Sequence, residues 1–482
     1  MNPEKLYIGG TWIHPASGAR EEVVDSASES VIGSFPVGNR ADVDRAVQAA
    51  SDALNDRDGW AGFGPAQRAD VMLRFADAIE QRREALGMLI SQEVGTPLGR
   101  AIGSNADTAA ALLRFYAKVI EATPVEDLRP AGVGFSIVRR EPIGVVGMIA
   151  PWNYPLSTLF FKLAPALAAG CTAVVKPASN TALNSFLIAE AAQEAGVPDG
   201  VLNIVPCDRT TGEYLVSHPG VHKVAFTGST PVGRRIGQLC GEGLKPVTLE
   251  LGGKSAALLL EDASLEKLAE HLHDLSFANN GQTCTNNTRL IVPAKIYDDV
   301  VTAVTDTVRA WPVGDPRDPA TVIGPVVSRS HKDSIEKYYS IAKTEGGRAT
   351  TGGNVRFGTG FYVEPTVFAD VTPDMTVFRE ELFGPAVSIT RYSGDFEEGV
   401  RIANDSNYGL SGAVFTENEA LGLEAARRIE TGTVAFNMAN FDIGAPFGGR
   451  KDSGVGFELG AEAISAYTHL KSVFVPEVPA GF

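Results

Sequence analysis

The run Ile143-Gly144-Val145-Val146-Gly147-Met148-Ile149 decides the fold, because four more short apolar runs follow it at helix-length intervals. These occupy residues 172–176, 201–205, 222–226 and 246–250, reading TAVVK, VLNIV, HKVAF and PVTLE. Each is the length of a strand, and the segments between them are long enough for helices. Five strands joined by four crossovers predict a parallel sheet covered on both faces, since right-handed crossovers place helices there. The fold class is therefore α/β, with a doubly wound parallel sheet in this part of the chain. Such sheets bind ligands at the carboxyl ends of their strands. The loops to inspect are those after Ala150, Lys176, Pro206, Thr227 and Leu251.

Upstream, Tyr7 to Ile13, broken by Gly9-Gly10, reads as a short strand pair. Val43, Ala46, Val47 and Ala50 mark one face of a helix. Val71, Phe75, Ala78 and Ile79 mark a second, entered through Pro65, and Leu112, Phe115, Tyr116 and Val119 a third. Downstream, a second α/β unit is expected, with strands at 288–293, 385–391, 410–416 and 433–437. Gly- and Pro-rich breaks at 312–325 and 352–365 read as surface loops. The stretches 124–142 and after Tyr467 fit neither unit. They suit either strands that leave the body to pair with another chain or a plain surface hairpin.

Composition narrows the class. The 482 residues carry 42 basic and 58 acidic side chains, a formal charge of −16, and 44% are hydrophobic. That excludes disorder over most of the length and argues against nucleic acid or an anionic membrane as the main partner. Four cysteines form no disulfide framework and indicate a reducing compartment. Met1-Asn2-Pro3-Glu4-Lys5 lacks the order of a signal peptide, and Lys162 interrupts the longest apolar run, so a cytoplasmic enzyme is expected.

Cys171 and Cys240 sit among small residues at helix ends, where a buried thiol is an ordinary packing element, and nothing marks Cys207. Cys284 differs, lying in the polar stretch from Asn279 to Asn287, where a thiol is reachable. Glu250 ends the last parallel strand ahead of Gly252-Gly253-Lys254. It suits a carboxylate facing a cleft, or equally a strand-end ion pair with Lys254. Asn153, inside Pro151-Trp152-Asn153-Tyr154-Pro155, suits a donor aimed at developing negative charge, or equally a helix cap. Lys176-Pro177-Ala178-Ser179 places a cation and a hydroxyl at a strand end. Gly228 to Gly233, reading GSTPVG, leads from a strand into a helix and suits either a pyrophosphate or a plain capping turn. The seven histidines provide no HExxH and no Cys/His cluster, so no metal is expected.

The order PWN, KPAS, FTGSTxxG, ELGGKS, GQTC, EELFGP and PFGGRKDSG resembles the aldehyde dehydrogenase superfamily, from about residue 5 to 475. Cys284 follows Glu250 by 34 residues, as in typical members. The resemblance implies a dinucleotide-binding domain (1–123 and 143–252), a second α/β catalytic domain (253–452) and a small β oligomerisation element (124–142 and 467–482). It also implies a homodimer or homotetramer acting on a small-molecule aldehyde, with NAD or NADP and no metal. On this resemblance Cys284 is the nucleophile, Asn153 an oxyanion donor and Glu250 the general base that hydrolyses a thioester. Lys176 and Ser179 contact the adenosine ribose, Gly228 and Ser229 the pyrophosphate, and Glu381 the nicotinamide ribose. Phe383, Trp152 and Gly233 lie beside the dinucleotide, and Lys162 has a structural role near the site.

Two positions depart from the family pattern. Ser179 stands where many NAD-specific members carry Glu, which implies that NADP is tolerated as well as NAD. Phe457 stands where many have Arg, which removes a charge near the subunit and cofactor contacts. Trp152, Leu159 and Phe160, with no Arg between Phe436 and Asp442, favour an apolar aliphatic, terpenoid or aromatic aldehyde over a carboxylated semialdehyde. A CoA-acylating reaction or a non-catalytic member of the fold is disfavoured by Glu250 together with Cys284 and Asn153.

Overall fold

A computed structural model describes residues 4–356 and 358–480, so the expectations at 1–3 and 481–482 lie outside the described residues. The five runs form the strands Val145–Ile149, Thr172–Lys176, Leu202–Ile204, Lys223–Thr227 and Val247–Glu250. All five are parallel. Val145–Ile149 lies in the middle, with the next two strands on one side of it and the last two on the other. The order reverses there, which places a ligand crevice outside its carboxyl end. The helices Ser157–Ala169, Leu183–Glu194, Arg209–Ser217 and Thr230–Glu242 fill the four crossovers.

Both edges of this sheet are finished by antiparallel strands. The hairpin Leu6–Ile8 and Thr11–Ile13 adds to one edge, Tyr7 pairing with Ile204. At the other edge Gly454–Val455 pairs with Leu249 and Glu250, so the chain returns to its first sheet almost at its end. The helix Arg40–Asn55 buries Val43, Ala46, Val47 and Ala50, and Pro65–Glu80 buries Val71, Phe75, Ala78 and Ile79. In Thr108–Ala122, Leu112 and Tyr116 are buried, whereas Phe115 and Val119 are only partly covered.

The second sheet has seven strands and contains the four expected ones, as Arg289–Pro293, Ala386–Tyr392, Gly412–Phe415 and Ala435–Phe436. Its middle positions include Ala256–Leu259, which sequence reading passed over because it follows the glycines of ELGGKS without a break. Thr366–Ala369 is likewise a buried strand directly after the second Gly- and Pro-rich break. The break at 312–325 is only partly a surface loop. Its end turns inward, with Ile323 fully buried and a Cβ on Gly324 only 2.1 Å from the Gly95 carbonyl oxygen.

The two stretches that fitted neither unit meet each other. Glu126–Pro130, Phe135–Pro142 and Thr468–Val475 form a separate antiparallel sheet of three strands. Leu470 and Phe474 remain largely exposed on it.

Candidate active site

A cavity of about 1200 Å³ opens where the carboxyl ends of the first sheet face the second. It brings together Asn153, Glu250 and Cys284, along with Trp152, Gly228, Ser229, Glu381 and Phe383. Lys176 and Ser179 do not line it; they sit at the end of the neighbouring strand and in the turn Ser179–Thr181. Gly233 is buried inside its helix, where a Cβ would fall 2.3 Å from Leu251 Cδ2. A side chain at that position would therefore displace Leu251.

The approach to Cys284 is unusual backbone. The helix Leu265–Leu272 runs into a π turn, His273–Phe277, and then Asn279, Asn280 and Gly281 all take positive φ, at 54°, 59° and 81°. Two consecutive non-glycine residues there store strain, so the surroundings must hold them. Asn280 Nδ2 donates to the carbonyls of Gly95 (2.8 Å) and Pro325 (2.9 Å), and Asn280 Oδ1 accepts from Gly324 N–H at 2.8 Å. Val327 N–H donates to Gln282 Oε1 at 2.9 Å. Asn279 Nδ2 donates to the Asn153 carbonyl, and Asn153 Nδ2 to the Gln282 carbonyl, both at 2.9 Å. The Asn153 amide is thus clamped beside the nucleophile by one N–H, which leaves the other free. It does not cap the helix Ser157–Ala169, whose cap position is Leu156.

Cys284 is the one cysteine of the four that is not buried. Packing around its sulfur disfavours the thiolate, and with the Glu381 and Glu250 carboxylates adding to that effect the thiol is pushed up to about 12. Gly253 has to be glycine here, since a Cβ would sit 2.2 Å from the Cys284 carbonyl oxygen.

Glu250 does not pair with Lys254. It is buried, and neither of its oxygens has a hydrogen-bond partner among the described residues. Burial raises its carboxyl well above the usual range, Glu458 adds to this, and Lys162 opposes it. Lys162 Nζ lies 2.8 Å from Glu458 Oε1 and 2.6 Å from Thr227 Oγ1. Glu458 escaped sequence reading, because nothing in the Gly-rich tail marks a carboxylate that folds back onto Glu250. Phe457 beside it packs against the core of the first unit.

The opposite wall carries Glu381, which accepts from Gly253 N–H at 2.9 Å and is pushed up to about 7 by burial. Phe383, at φ 57°, meets Trp152 edge-on at 5.4 Å, and its carbonyl lies 2.8 Å from His331 Nε2, a contact no local pattern announces. Ser229 stands at the cap position of Thr230–Glu242 and makes no side-chain cap bond. A helix N-terminus open to a cleft, facing a carboxylate and an aromatic wall, fits the phosphate and ribose of a dinucleotide. Among the described residues no group of three His, Cys, Asp or Glu side chains is placed to hold a metal. None of their helices is long and apolar enough to cross a membrane.

Away from this wall the cavity is aromatic. Phe161 stacks on Phe441 with ring centres 5.6 Å apart, and Phe447 closes the group at 6.1 and 6.0 Å. Phe160 and Leu159, on which part of the expectation of an apolar aldehyde rests, point into the core, Phe160 against Phe75. Successive helical side chains are turned by about 100°, so the cavity takes Phe161 rather than its predecessors. Glu250, Glu381, Asp274, Asp442 and Glu458 line the space, and among the described lining residues there is no Lys or Arg.

Residues 12–473 match the profile of the aldehyde dehydrogenase family. The chain is 48% identical over 476 residues to geranial dehydrogenase of Castellaniella defragrans, covering 98% of this chain and 99% of that one. An aldehyde dehydrogenase of Bacillus cereus solved as its NAD+ complex superposes with a TM-score of 0.95 at 37% identity, covering 98% of this chain and 96% of that one. The Mycobacterium tuberculosis enzyme complexed with NAD+ gives 0.95 at 41%, covering 99% of each chain. With a reachable thiol, a buried carboxylate and a clamped amide in one cavity of this fold, the chain belongs to the aldehyde dehydrogenase family and is an enzyme of that class.

Proposed function

We propose that this enzyme oxidises a neutral, apolar aldehyde to its carboxylic acid with NAD or NADP, through a covalent intermediate on Cys284. The observation that carries the reading is the meeting of Cys284, Asn153 and an unpartnered Glu250 in one cavity. The Cys284 sulfur attacks the aldehyde carbon as its proton passes to solvent in the cavity, and the carbonyl π electrons move onto oxygen. The free N–H of Asn153 and the Cys284 backbone N–H hold the oxyanion, each such donor contributing on the order of 3 kcal/mol. Gly228, Ser229, Glu381 and Phe383, with Trp152 alongside and Lys176 and Ser179 at the adenosine end, would hold the dinucleotide, which would accept the hydride leaving the former aldehyde carbon as the oxyanion re-forms the carbonyl of a thioester. Glu250 then takes a proton from water as that water adds to the thioester carbon, and the Cys284 sulfur leaves.

Several features support the finer parts of this reading. Ser179 offers no carboxylate to repel a 2′-phosphate, which supports use of NADP beside NAD. The aromatic group and the cation-free lining favour aliphatic, terpenoid or aromatic aldehydes over semialdehydes bearing a carboxylate. The name of the Castellaniella relative points the same way. We read residues 1–123 and 143–252 as the dinucleotide-binding domain, 253–452 as the catalytic domain, and 124–142 with 467–482 as an oligomerisation element. The assembly is a cytoplasmic homodimer or homotetramer.

Two variants test the chemistry. Cys284→Ala is expected to abolish formation of reduced cofactor. Glu250→Gln is expected to give one burst and stall as a thioester visible by intact mass. Steady turnover in either variant would overturn the role assigned to that residue.

A further inference from the structure

The helix Arg83–Val94 ends at Gly95, at φ 88°, and Pro97 prevents its continuation. Thr96 lies between these two and is buried. A Cβ on Gly95 would fall 2.1 Å from the Pro325 carbonyl oxygen, so the helix end is pressed against the second unit. There it meets the strained bend ahead of Cys284, and three consecutive residues each engage one amide of that bend. The Val94 carbonyl accepts from Gln282 Nε2 at 3.4 Å and the Gly95 carbonyl from Asn280 Nδ2 at 2.8 Å, while the Thr96 hydroxyl donates to Asn279 Oδ1. The first two contacts are made by the backbone. Only Thr96 reaches the bend through a side chain.

That hydroxyl decides which way the Asn279 amide faces. Asn279 Nδ2 donates to the Asn153 carbonyl at 2.9 Å and, more distantly, to the Gln282 carbonyl at 3.4 Å. Asn153 Nδ2 donates to the same Gln282 carbonyl at 2.9 Å. Carbonyl oxygens only accept, so Asn279 Nδ2 has to face them and Oδ1 has to face Thr96. Without the Thr96 hydroxyl, Oδ1 is a buried acceptor that has lost its donor. Turning the amide over to relieve this sets Oδ1 against two carbonyl oxygens. In either case the Asn153 and Gln282 carbonyls lose their fixed spacing, the latter two residues before Cys284. The other side of the bend is braced separately. The Tyr154 hydroxyl lies 2.8 Å from Thr283 Oγ1, which donates to the Ala278 carbonyl at 2.9 Å.

We propose that Thr96 is a positioning residue for the reaction at Cys284. Its hydroxyl orients the Asn279 amide, which fixes the Asn153 oxyanion donor and the backbone leading to the nucleophile. Thr96 lies outside the cavity lining and acts through Asn279. The inference rests on the reading that Asn153 and Cys284 hold the oxyanion.

The test follows the first turnover of NAD reduction at saturating hexanal, normalised to the folded fraction from a melting curve. It compares the wild-type enzyme, Thr96→Val, Thr96→Ser, Asn279→Gly and the double variant Thr96→Val/Asn279→Gly. Thr96→Val keeps the shape and removes the hydroxyl. Its first-turnover rate should fall at least about threefold, with half-saturation by hexanal within about twofold of wild type, because a displaced reacting group slows chemistry more than binding. Thr96→Ser keeps the donor and should recover most of that loss. Glycine accepts the positive φ at position 279, so Asn279→Gly removes the amide without adding strain. In that background Thr96→Val should cost less than about twofold more, since the two residues act as one unit. The proposal is overturned if folded Thr96→Val loses less than about threefold, or if Thr96→Ser loses as much as Thr96→Val. It is equally overturned if Thr96→Val costs as much beside Asn279→Gly as in the wild-type enzyme. Should Thr96→Val not fold, Thr96→Ala is read by the same criteria. An unchanged first turnover in Asn153→Ala would instead overturn the oxyanion reading beneath it.

Discussion

Lys162 and Glu458 form an ion pair 2.8 Å long with neither side chain reaching solvent, and Glu250 lies in the field of both. A pair of this kind is costly to break from one side, because the remaining charge stays buried and unmatched. Lys162→Met should therefore destabilise the enzyme by about 3–5 kcal/mol. The double variant Lys162→Met/Glu458→Leu should lose less than the sum of its single variants. Denaturant midpoints of the four proteins check this, and strict additivity would argue against a coupled pair.

The same neighbourhood sets a pH dependence. The Glu250 carboxyl is held above its usual range, first by burial and then by Glu458, so the carboxylate that accepts the proton of water grows as pH rises. Hydrolysis of the thioester should accordingly speed up with rising pH through the Glu250 titration. Glu458→Gln removes a like charge and should move that rise to lower pH. Single-turnover release of the acid, followed across pH, measures the shift; movement in the opposite direction would contradict the assignment.

Asn153 is held by one N–H and offers the other. Asn153→Ala should lower kcat by on the order of 10²- to 10³-fold, the usual effect of deleting an oxyanion donor. Because the amide donates its other N–H to the Gln282 carbonyl, and a carboxylate can only accept, Asn153→Asp should not restore activity. Steady-state rates at saturating aldehyde distinguish this from a change in KM alone.

Gly253 stands against the nucleophile's own carbonyl, with 2.2 Å where a Cβ would need ordinary contact. Gly253→Ala must displace the backbone at Cys284, and shifts near 1 Å at a reacting group can cost about a hundredfold. The expected result is a folded protein with kcat reduced at least about tenfold, checked by activity beside a melting curve.

Ser179 is the position that tests coenzyme choice. Ser179→Glu should lower kcat/KM for NADP at least about tenfold through repulsion of the 2′-phosphate, while NAD is retained or improved. Equilibrium titration with each dinucleotide, followed by protein fluorescence, should show the same ordering without turnover.

Much of this could be read in advance, for identifiable reasons. Val145–Ile149 and its four parallel companions were legible because buried parallel strands are continuous apolar runs between helix-length segments. Cys284, Glu250 and Asn153 stood out as candidates where strands and helices end, but an ion pair or a helix cap suited Glu250 and Asn153 as well, and their roles came only with the family resemblance. Ala256–Leu259 was not legible, since its four residues follow a motif already read as a loop. Gly454–Val455 is too short for any periodicity to show. Glu458, His331 and the Tyr154–Thr283 contact depend on chain segments far apart in sequence, which no local pattern reports. The Phe160-for-Phe161 error is one of helical phase, which a run that is apolar on all sides leaves undetermined.

The late return of the chain at Gly454–Val455 bears on how the enzyme is made. A polypeptide grows from its N-terminus, so the five parallel strands' residues, the thiol and Glu250 are all synthesised before Gly454. Until that strand docks, Leu249 and Glu250 form an open edge, and Lys162 has no Glu458 to meet. Premature termination upstream of Gly454 therefore removes Glu458 from beside Lys162 and Glu250, together with the core residues Leu459, Ala463, Ile464 and Tyr467. Only a chain translated past Glu458 can set Lys162 and Glu250 in their final surroundings, which ties the finished site to one late segment.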